Sequence, residues 1–285
     1  MKLSIRRPIE FVATDVDGTL VGPDKTVSPA AKGAINRAID RGIKVAIASG
    51  RAYDEMFEIF EKLPRVRYFI CTNGAVVMDR KTGDCLYHEC FDKSLALEIL
   101  TRLMAYDVYV EAYMGHQVFG QIQPEDRLPY FFNDQVRGLI LASRTMIGDL
   151  YSHVKAAPQG PEKIQIFYGD PAMETRILAD FKDHPGFDVL QSSEGNLEFV
   201  MLQNTKGTAV KALADRWGLS PDQVMTIGDS HNDMSMLSYA GVSVAMGNAD
   251  QVVKELAKYQ TDSNEEDGFA RALEAVLAAN ERCSS

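Results

Sequence analysis

Two aspartates close an apolar run near the start of the chain. In "FVATDVDGTLVG" (11–22) the apolar residues stop at Asp15 and Asp17, and a Gly-Thr pair follows. Three further polar clusters stand behind apolar runs: Ser49-Gly50-Arg51, Asn73-Gly74, and "GDSHND", which supplies Asp229, Asn232 and Asp233. If those runs are parallel strands, their carboxyl ends share one rim, where the ligand crevice of such a sheet lies. Asp15, Asp17, Asp229 and Asp233 would then crowd together and repel, the more so where water is excluded. A bound cation relieves that repulsion. An all-oxygen set without His or Cys suits a hard ion, and Mg²⁺ fits best because it takes one or two carboxylates, keeps waters and bridges to phosphate. Lys206 stands near the start of a helix, where the dipole disfavours a positive charge. Across from acids and beside a helix N-terminus, it suits an anionic ligand.

These residues need a frame that brings them together. "IEFVAT" (9–14), "IKVAIASG" (43–50) and "VRYFICTNG" (66–74) read as short buried strands. Between them, Ser28-Pro29 opens a helix that ends at Gly42, and "AYDEMFEIFEKL" reads as a helix stopped by Pro64. "AVVMD" and "CLYHE" flank Lys81-Thr82-Gly83 as a hairpin. The last third repeats the rhythm. Thr205 caps a helix, "VMTIGD" (224–229) and "VSVAMGN" (242–248) are strands, and helices alternate with them to the end. Strand–helix alternation of this kind predicts an α/β fold, a Rossmann-like parallel sheet with helices on both faces. The stretch 84–202 mixes helices such as "KSLALEILTRLMA" with strands such as "KIQIFY" and "NLEFVML". It reads as an inserted α+β domain, which leaves 1–83 and 203–285 as a discontinuous core.

Composition narrows the function. A net charge of −10 with no Lys/Arg cluster argues against a nucleic-acid partner. One bound cation can still invert the field locally, so an anionic substrate stays open. No apolar stretch approaches the roughly 20 residues that span a bilayer, and "MKLSIRRPIEFVATD" lacks the apolar core of a signal peptide. Cys71, Cys85, Cys90 and Cys283 have neither disulfide-framework nor zinc spacing. The expectation is a cytoplasmic protein with reduced thiols, no membrane partner and no obligate protein partner evident.

"DVDGT", "SGR", "NG", "KG" and "GDSHND", in that order, resemble the motifs of the haloacid dehalogenase superfamily of phosphatases. The large insertion between "NG" and "KG", with "MGNA" (246–249) and "EEDGFA" after Thr261, is similar to its Cof-type sugar-phosphatase branch. The resemblance runs end to end. It implies that Asp15 is the nucleophile, forming an aspartyl-phosphate, and that Asp17 is the general acid and then the base. It implies that Asp15, the backbone carbonyl of Asp17, and Asp229 hold Mg²⁺. Ser49, Gly50, Lys206 and Asn232 would bind the phosphoryl oxygens, Asp233 would orient Lys206 or a metal-bound water, and Asn73 and Gly74 would border the substrate pocket.

The chemistry that follows is hydrolysis of a small phosphorylated metabolite, a sugar phosphate in the first place. Asp17 favours a phosphatase or phosphomutase over a dehalogenase, which needs no such acid. Serving as an acid requires Asp17 to be protonated, so its pKa should be raised by burial and neighbouring negative charge. The insert would act as a substrate-selecting cap, with Tyr113, His116 and Arg127 as candidate contacts. A phosphomutase and a non-catalytic phosphometabolite-binding protein are the alternatives.

Overall fold

The apolar runs before the polar clusters are the central strands of one large sheet. The computed structural model describes residues 3–191 and 194–283, which form two compact units. The first comprises 3–51, 56–88 and 205–283, and the second 52–55, 89–191 and 194–204.

The first unit opens with β1 (Phe11–Asp15), α1 (Pro29–Asp40), β2 (Lys44–Ala48), α2 (Phe57–Lys62) and β3 (Tyr68–Cys71). A hairpin follows, β4 (Val76–Asp79) and β5 (Asp84–His88). The second unit then contributes α3 (Lys93–Leu103), β6 (Tyr109–Met114), β7 (Gln117–Gln121), α4 (Leu128–Phe131) and α5 (Asp134–Ser143). It continues with β8 (Thr145–Ile147), α6 (Leu150–Ala156), β9 (Lys163–Phe167), α7 (Ala172–Phe181), β10 (Phe187–Leu190) and β11 (Asn196–Met201). The chain returns to the first unit in α8 (Lys206–Arg216), β12 (Val224–Gly228), α9 (Met234–Tyr239) and β13 (Val242–Ala245). It closes with α10 (Gln251–Leu256), β14 (Tyr259–Gln260) and α11 (Gly268–Cys283).

The large sheet runs β14-β13-β12-β1-β2-β3-β4-β5, parallel from β14 to β3, with the β4–β5 hairpin antiparallel at its edge. Every residue of β1 is buried, as its unbroken apolar run requires. Strand order reverses at β1: β2 and β3 lie on one side, β12 and β13 on the other. That reversal makes the carboxyl ends of β1 and β12 the topological switch point of the sheet. Phe11, Ala13, Ala46, Ala48 and Ile70 pack against Ala209, Val210 and Leu213 of α8 and Met236 of α9. Helix α1 starts where Ser28 accepts from the Ala31 N–H, with Pro29 at its first position, and packs against α11.

The second unit holds a sheet in the order β10-β11-β9-β6-β7-β8. Ala112, Ile164, Ile166, Leu197 and Phe199 face α3, α6 and α7 in one core, and Tyr109 and Phe167 face α4 and α5 in a smaller one. On the face of Tyr109, the two-residue period also puts Glu111, Tyr113, Lys163, Gln165 and Glu198, all buried and polar or amphipathic. Among the described residues, no helix is long and apolar enough to cross a membrane.

The expected boundaries shift in three places. Asp84–His88 does not start the insert: it pairs with β4 in the large sheet, and the second unit begins at Glu89. That unit ends at Asn204 rather than 202. The helix expected over 52–63 is split into a 3₁₀ turn, Tyr53–Met56, and α2, and Ala52–Glu55 goes with the second unit. Strands β8, β10 and β14 were not legible, since runs of two to four residues carry no period.

One contact in the first unit ties strand to helix. Gly74 follows β3 with φ +105°, and a Cβ there would lie 2.1 Å from the carbonyl oxygen of Thr205, the N-cap of α8. Both the backbone angle and the space demand glycine. Gly74→Ala is expected to lower the urea unfolding free energy by about 2 kcal/mol or more. A change within about 0.5 kcal/mol, the range of an ordinary surface substitution, would show that the turn and α8 are not so closely joined.

Candidate active site

Strands β1, β2 and β12 end side by side, so Asp15, Ser49 and Asp229 emerge on one rim of the first unit. Lys206 reaches this rim from the first turn of α8. The turn is set by Thr205, whose side chain accepts from the Thr208 N–H in a reciprocal capping box. The ammonium of Lys206 is fully buried and lies 2.6 Å from Asp15 Oδ1 and 2.6 Å from Asp233 Oδ1. The unfavourable charge at a helix start is thus held by two carboxylates.

Asp233 uses both of its oxygens. Oδ1 receives Lys206, while Oδ2 accepts the backbone N–H of Asp229 at 2.9 Å and of Ser230 at 3.1 Å. Asp15, Asp229 and Asp233 each place a carboxylate oxygen within 4.8 Å of the others. One lysine does not balance three such groups. Burial, and next the charge of Asp233, push Asp15 well above the usual carboxylate range despite Lys206. Burial and Asp233 likewise raise Asp229 to about 6, against the hydrogen bond it accepts from Thr19 Oγ1 at 3.1 Å. Burial would lower Lys206, but Asp15 and Asp233 outweigh it and keep the ammonium charged. A hard divalent cation fits this donor set: Asp15 and Asp229 have oxygens to offer, whereas Asp233 is committed to orienting its neighbours.

The loop after β1 is pressed onto Asp229. Gly18 has φ +84°, and a Cβ there would come within 2.3 Å of Asp229 Oδ2. The Gly18 carbonyl accepts from Asn248 Nδ2 at 2.8 Å. Glycine at this position therefore lets the Asp17–Thr19 backbone approach the carboxylate.

Asp17 corrects an expectation. Its carboxylate stands apart from the three-acid cluster, 40 % exposed, and Arg51 Nη2 lies 2.8 Å from both of its oxygens while Lys25 Nζ lies 3.0 Å from Oδ1. Burial pushes its pKa up, but Arg51 and then Lys25 prevail and hold the carboxyl below its ordinary value. The neighbours that matter are cations, not the acids of the rim. Any metal ligand from this residue would be its backbone carbonyl.

The remaining expected residues divide by unit. Ser49 is buried, and its Oγ accepts the Arg51 N–H at 3.2 Å. Asn73 has φ 55° and is buried beside Gly50, whose Cβ would lie 2.9 Å from Asn73 Oδ1. Asn232 is exposed and donates to Asn73 Oδ1 at 3.4 Å. Ser49, Gly50, Asn73, Gly74 and Asn232 thus belong to the first unit with the acids. In the second unit, Tyr113 is buried with its hydroxyl donating to Gln165 Oε1 at 2.9 Å, and His116 turns the β6–β7 hairpin at φ 81°. Arg127 pairs with Asp107 at 2.5 Å and lies over the rings of Tyr130 and Phe131, an ordinary surface arrangement. Thr19, Lys25, Arg51 and Asn248 were not singled out in the sequence. Thr19, Arg51 and Asn248 stand inside the quoted motifs, whereas Lys25 carries no local signal because only the fold of the 17–27 loop brings it to Asp17.

The sequence profile of the haloacid dehalogenase-like hydrolases matches residues 12–273. Among characterised sequences, the phosphatase YwpJ of Bacillus subtilis (strain 168) is 29 % identical, the match covering 94 % of this chain and 100 % of that one. The 5-amino-6-(5-phospho-D-ribitylamino)uracil phosphatase YwtE of the same organism is 27 % identical, over 95 % of this chain and 99 % of its own. Among solved structures, a haloacid dehalogenase-like hydrolase from B. subtilis superposes with a TM-score of 0.81 at 28 % identity, covering 93 % of this chain and 99 % of that one.

The crowding of carboxylates has a measurable consequence. An acid raised from 3.8 to about 6 in the native state keeps a proton that the unfolded chain has lost. Its contribution to stability is present at low pH and disappears as pH rises. In EDTA, the unfolding free energy of the wild type minus that of Asp229→Asn should therefore fall between about pH 4 and about pH 6, and a saturating divalent cation should abolish the fall. A difference that stays flat or rises in EDTA would mean that Asp229 is not crowded.

Proposed function

The chain belongs to the haloacid dehalogenase-like hydrolases and is a phosphatase of Cof type, and from that premise we propose that it hydrolyses phosphate monoesters of small polyhydroxylated metabolites through an aspartyl-phosphate, with Mg²⁺ as cofactor. The observation that carries this reading is Lys206, buried between Asp15 and Asp233 beside Asp229. A sheet end that gathers one fixed cation and several acids is suited to receive a phosphoryl group and the ion that accompanies it.

In this account Asp15 attacks phosphorus. Its carboxylate oxygen bonds to phosphorus as the bond from phosphorus to the ester oxygen breaks, and the departing oxygen takes a proton from Asp17. Water then attacks the same phosphorus, gives its proton to Asp17 and releases phosphate, which restores Asp15. Lys206 holds one oxygen of Asp15 and leaves the other to face the substrate. Ser49 and the Gly50 backbone would receive phosphoryl oxygens. Mg²⁺, held by Asp15, Asp229 and the Asp17 carbonyl, would neutralise charge between carboxylate and phosphate dianion. Ionised Asp17, paired with Arg51 and Lys25, is in the form that the second displacement uses. For the first, it must take up a proton, and its partners must yield.

The substrate class is proposed by analogy with a relative. YwtE is named for a ribityl phosphate, an ester on a polyol chain. A sugar phosphate or polyol phosphate is the matching class for this chain, and the inserted unit is the part that would select among such substrates. That none of Cys71, Cys85, Cys90 and Cys283 is in a disulfide suits a reducing, cytoplasmic setting.

Phosphate release from a panel of sugar and polyol phosphates, with p-nitrophenyl phosphate as a generic probe, tests the proposal. Activity should require Mg²⁺ and vanish in EDTA, and Asp15→Asn should lower kcat at least about 10³-fold while leaving the fold intact. Undiminished turnover in Asp15→Asn would remove the nucleophile. Phosphate retained on an isomerised product would point to a phosphomutase, and tight binding without turnover to a sensor.

A further inference from the structure

Within the first unit, the backbone of Asp229 is fixed on two sides. Its N–H donates to Asp233 Oδ2 at 2.9 Å, and its carbonyl accepts the Asp250 N–H at 3.3 Å. Its side chain is gripped from the loop after β1. Thr19, 1 % exposed, donates its hydroxyl to Asp229 Oδ1 at 3.1 Å. The other oxygen, Oδ2, faces the bare Cα of Gly18, where any Cβ would collide with it. A carboxylate held at one oxygen cannot turn freely, so the hydroxyl decides which oxygen is left to bind.

The hydroxyl is itself set by the turn that carries it. The Val16 carbonyl accepts the N–H groups of Leu20 and Val21, both at 3.0 Å, and closes the turn from inside. Two asparagines close it from outside. Asn248 donates Nδ2 to the Gly18 carbonyl, part of the peptide that leads into Thr19, at 2.8 Å, and its Oδ1 accepts the Asn264 N–H at 3.0 Å. Asn264 in turn donates Nδ2 to the Val21 carbonyl at 3.0 Å. The strap thus grips the turn on both sides of Thr19. Its neighbours also carry the end of β12, since the Met246 N–H donates to the Gly228 carbonyl at 3.0 Å. One short segment, 246–250, therefore locates both the donor and the acceptor of the Thr19–Asp229 bond. The Asn248 bonds are exposed to water, so they add little to stability, and their effect is on position.

We propose that Thr19 is a positioning residue for the divalent cation: its hydroxyl, set by the Asn248–Asn264 strap, holds Asp229 by Oδ1 and leaves Oδ2 for the ion. This role rests on the metal reading above and not on hydrolysis.

Mn²⁺ binding to the substrate-free protein, counted by electron paramagnetic resonance, tests the role, because the same oxygen donors suit Mn²⁺ and Mg²⁺. Thr19→Val keeps the buried shape and removes the hydroxyl, and should weaken Mn²⁺ binding about 10-fold or more. Thr19→Ser, which keeps the hydroxyl, should recover most of that affinity. Asn248→Ala should weaken binding to a smaller extent and speed hydrogen exchange at the Leu20 and Val21 amides. Asn280→Ala is the control. Asn280 brackets the backbone of Ile9 with two bonds of 2.8 Å, ahead of β1 and away from the rim, and its loss should change neither readout. In phosphatase assays, the Mg²⁺ concentration for half-activation should rise in Thr19→Val by a factor similar to the Mn²⁺ loss, with KM for p-nitrophenyl phosphate at saturating Mg²⁺ little changed. Equal Mn²⁺ affinity in wild type and Thr19→Val overturns the proposal. So does a loss in Thr19→Ser as large as in Thr19→Val, because the methyl and not the hydroxyl would then matter. If Thr19→Val fails to fold, Asn248→Ala decides: faster exchange at Leu20 and Val21 with unchanged Mn²⁺ affinity overturns it. A wild type that binds no Mn²⁺ removes the metal reading and this role with it, whereas one that binds Mn²⁺ but cleaves no phosphate ester removes the hydrolysis reading alone.

Discussion

A single buried ammonium shared by two carboxylates organises this protein's candidate site. Lys206 has no exposed surface and stands 2.6 Å from both Asp15 and Asp233. A charge taken out of water is tolerated only with close partners, and removing one partner of such a set costs about 3–5 kcal/mol. The constraint reaches three separate parts of the chain. Asp15 must end β1, Lys206 must open α8, and Asp233 must sit in the turn after β12 with its second oxygen on the Asp229 and Ser230 amides. The fold can be read as the means of holding those three positions together.

The sheet order supplies the means. With β1 in the middle and β12 beside it, Asp15 and Asp229 leave the sheet as neighbours despite more than two hundred intervening residues. Lys206 balances part of the resulting negative charge but not all of it, and the raised Asp15 and Asp229 record the remainder. This imbalance is what a divalent cation and an incoming phosphoryl group would use. Asp17 belongs to a second electrostatic environment only two residues away, set by Arg51 and Lys25. Two aspartates in one short motif thus have opposite surroundings, one crowded by acids and one clasped by cations. Such separation suits groups with different roles.

Much of this was legible in the sequence because short buried strands ending in polar clusters are a local signal. Asp15, Ser49, Asn73, Asp229 and Asp233 were all placed at strand ends by that signal, and Lys206 drew notice by standing where the helix dipole opposes it. The environment of Asp17 was not legible. Its pKa depends on which charges lie nearest in space, and Lys25 reaches it only because the loop folds back through the Asp17–Val21 and Val21–Val27 bridges. The 52–55 segment failed for a related reason. Its residues look helical, yet Glu55 is drawn to Arg144, a partner nearly ninety residues away that no local pattern announces. Tertiary ion pairs are set by the fold and not by local pattern, and they are where sequence reading loses its grip.

The most direct test of the central claim is a crystal structure of the protein grown with millimolar Mg²⁺ and orthovanadate. The expected result is an ion bonded to the carboxylates of Asp15 and Asp229, vanadate in line with Oδ2 of Asp15, and Lys206 still bridging Asp15 and Asp233. An ion bound elsewhere, or Lys206 turned out of its place between the two acids, would contradict it.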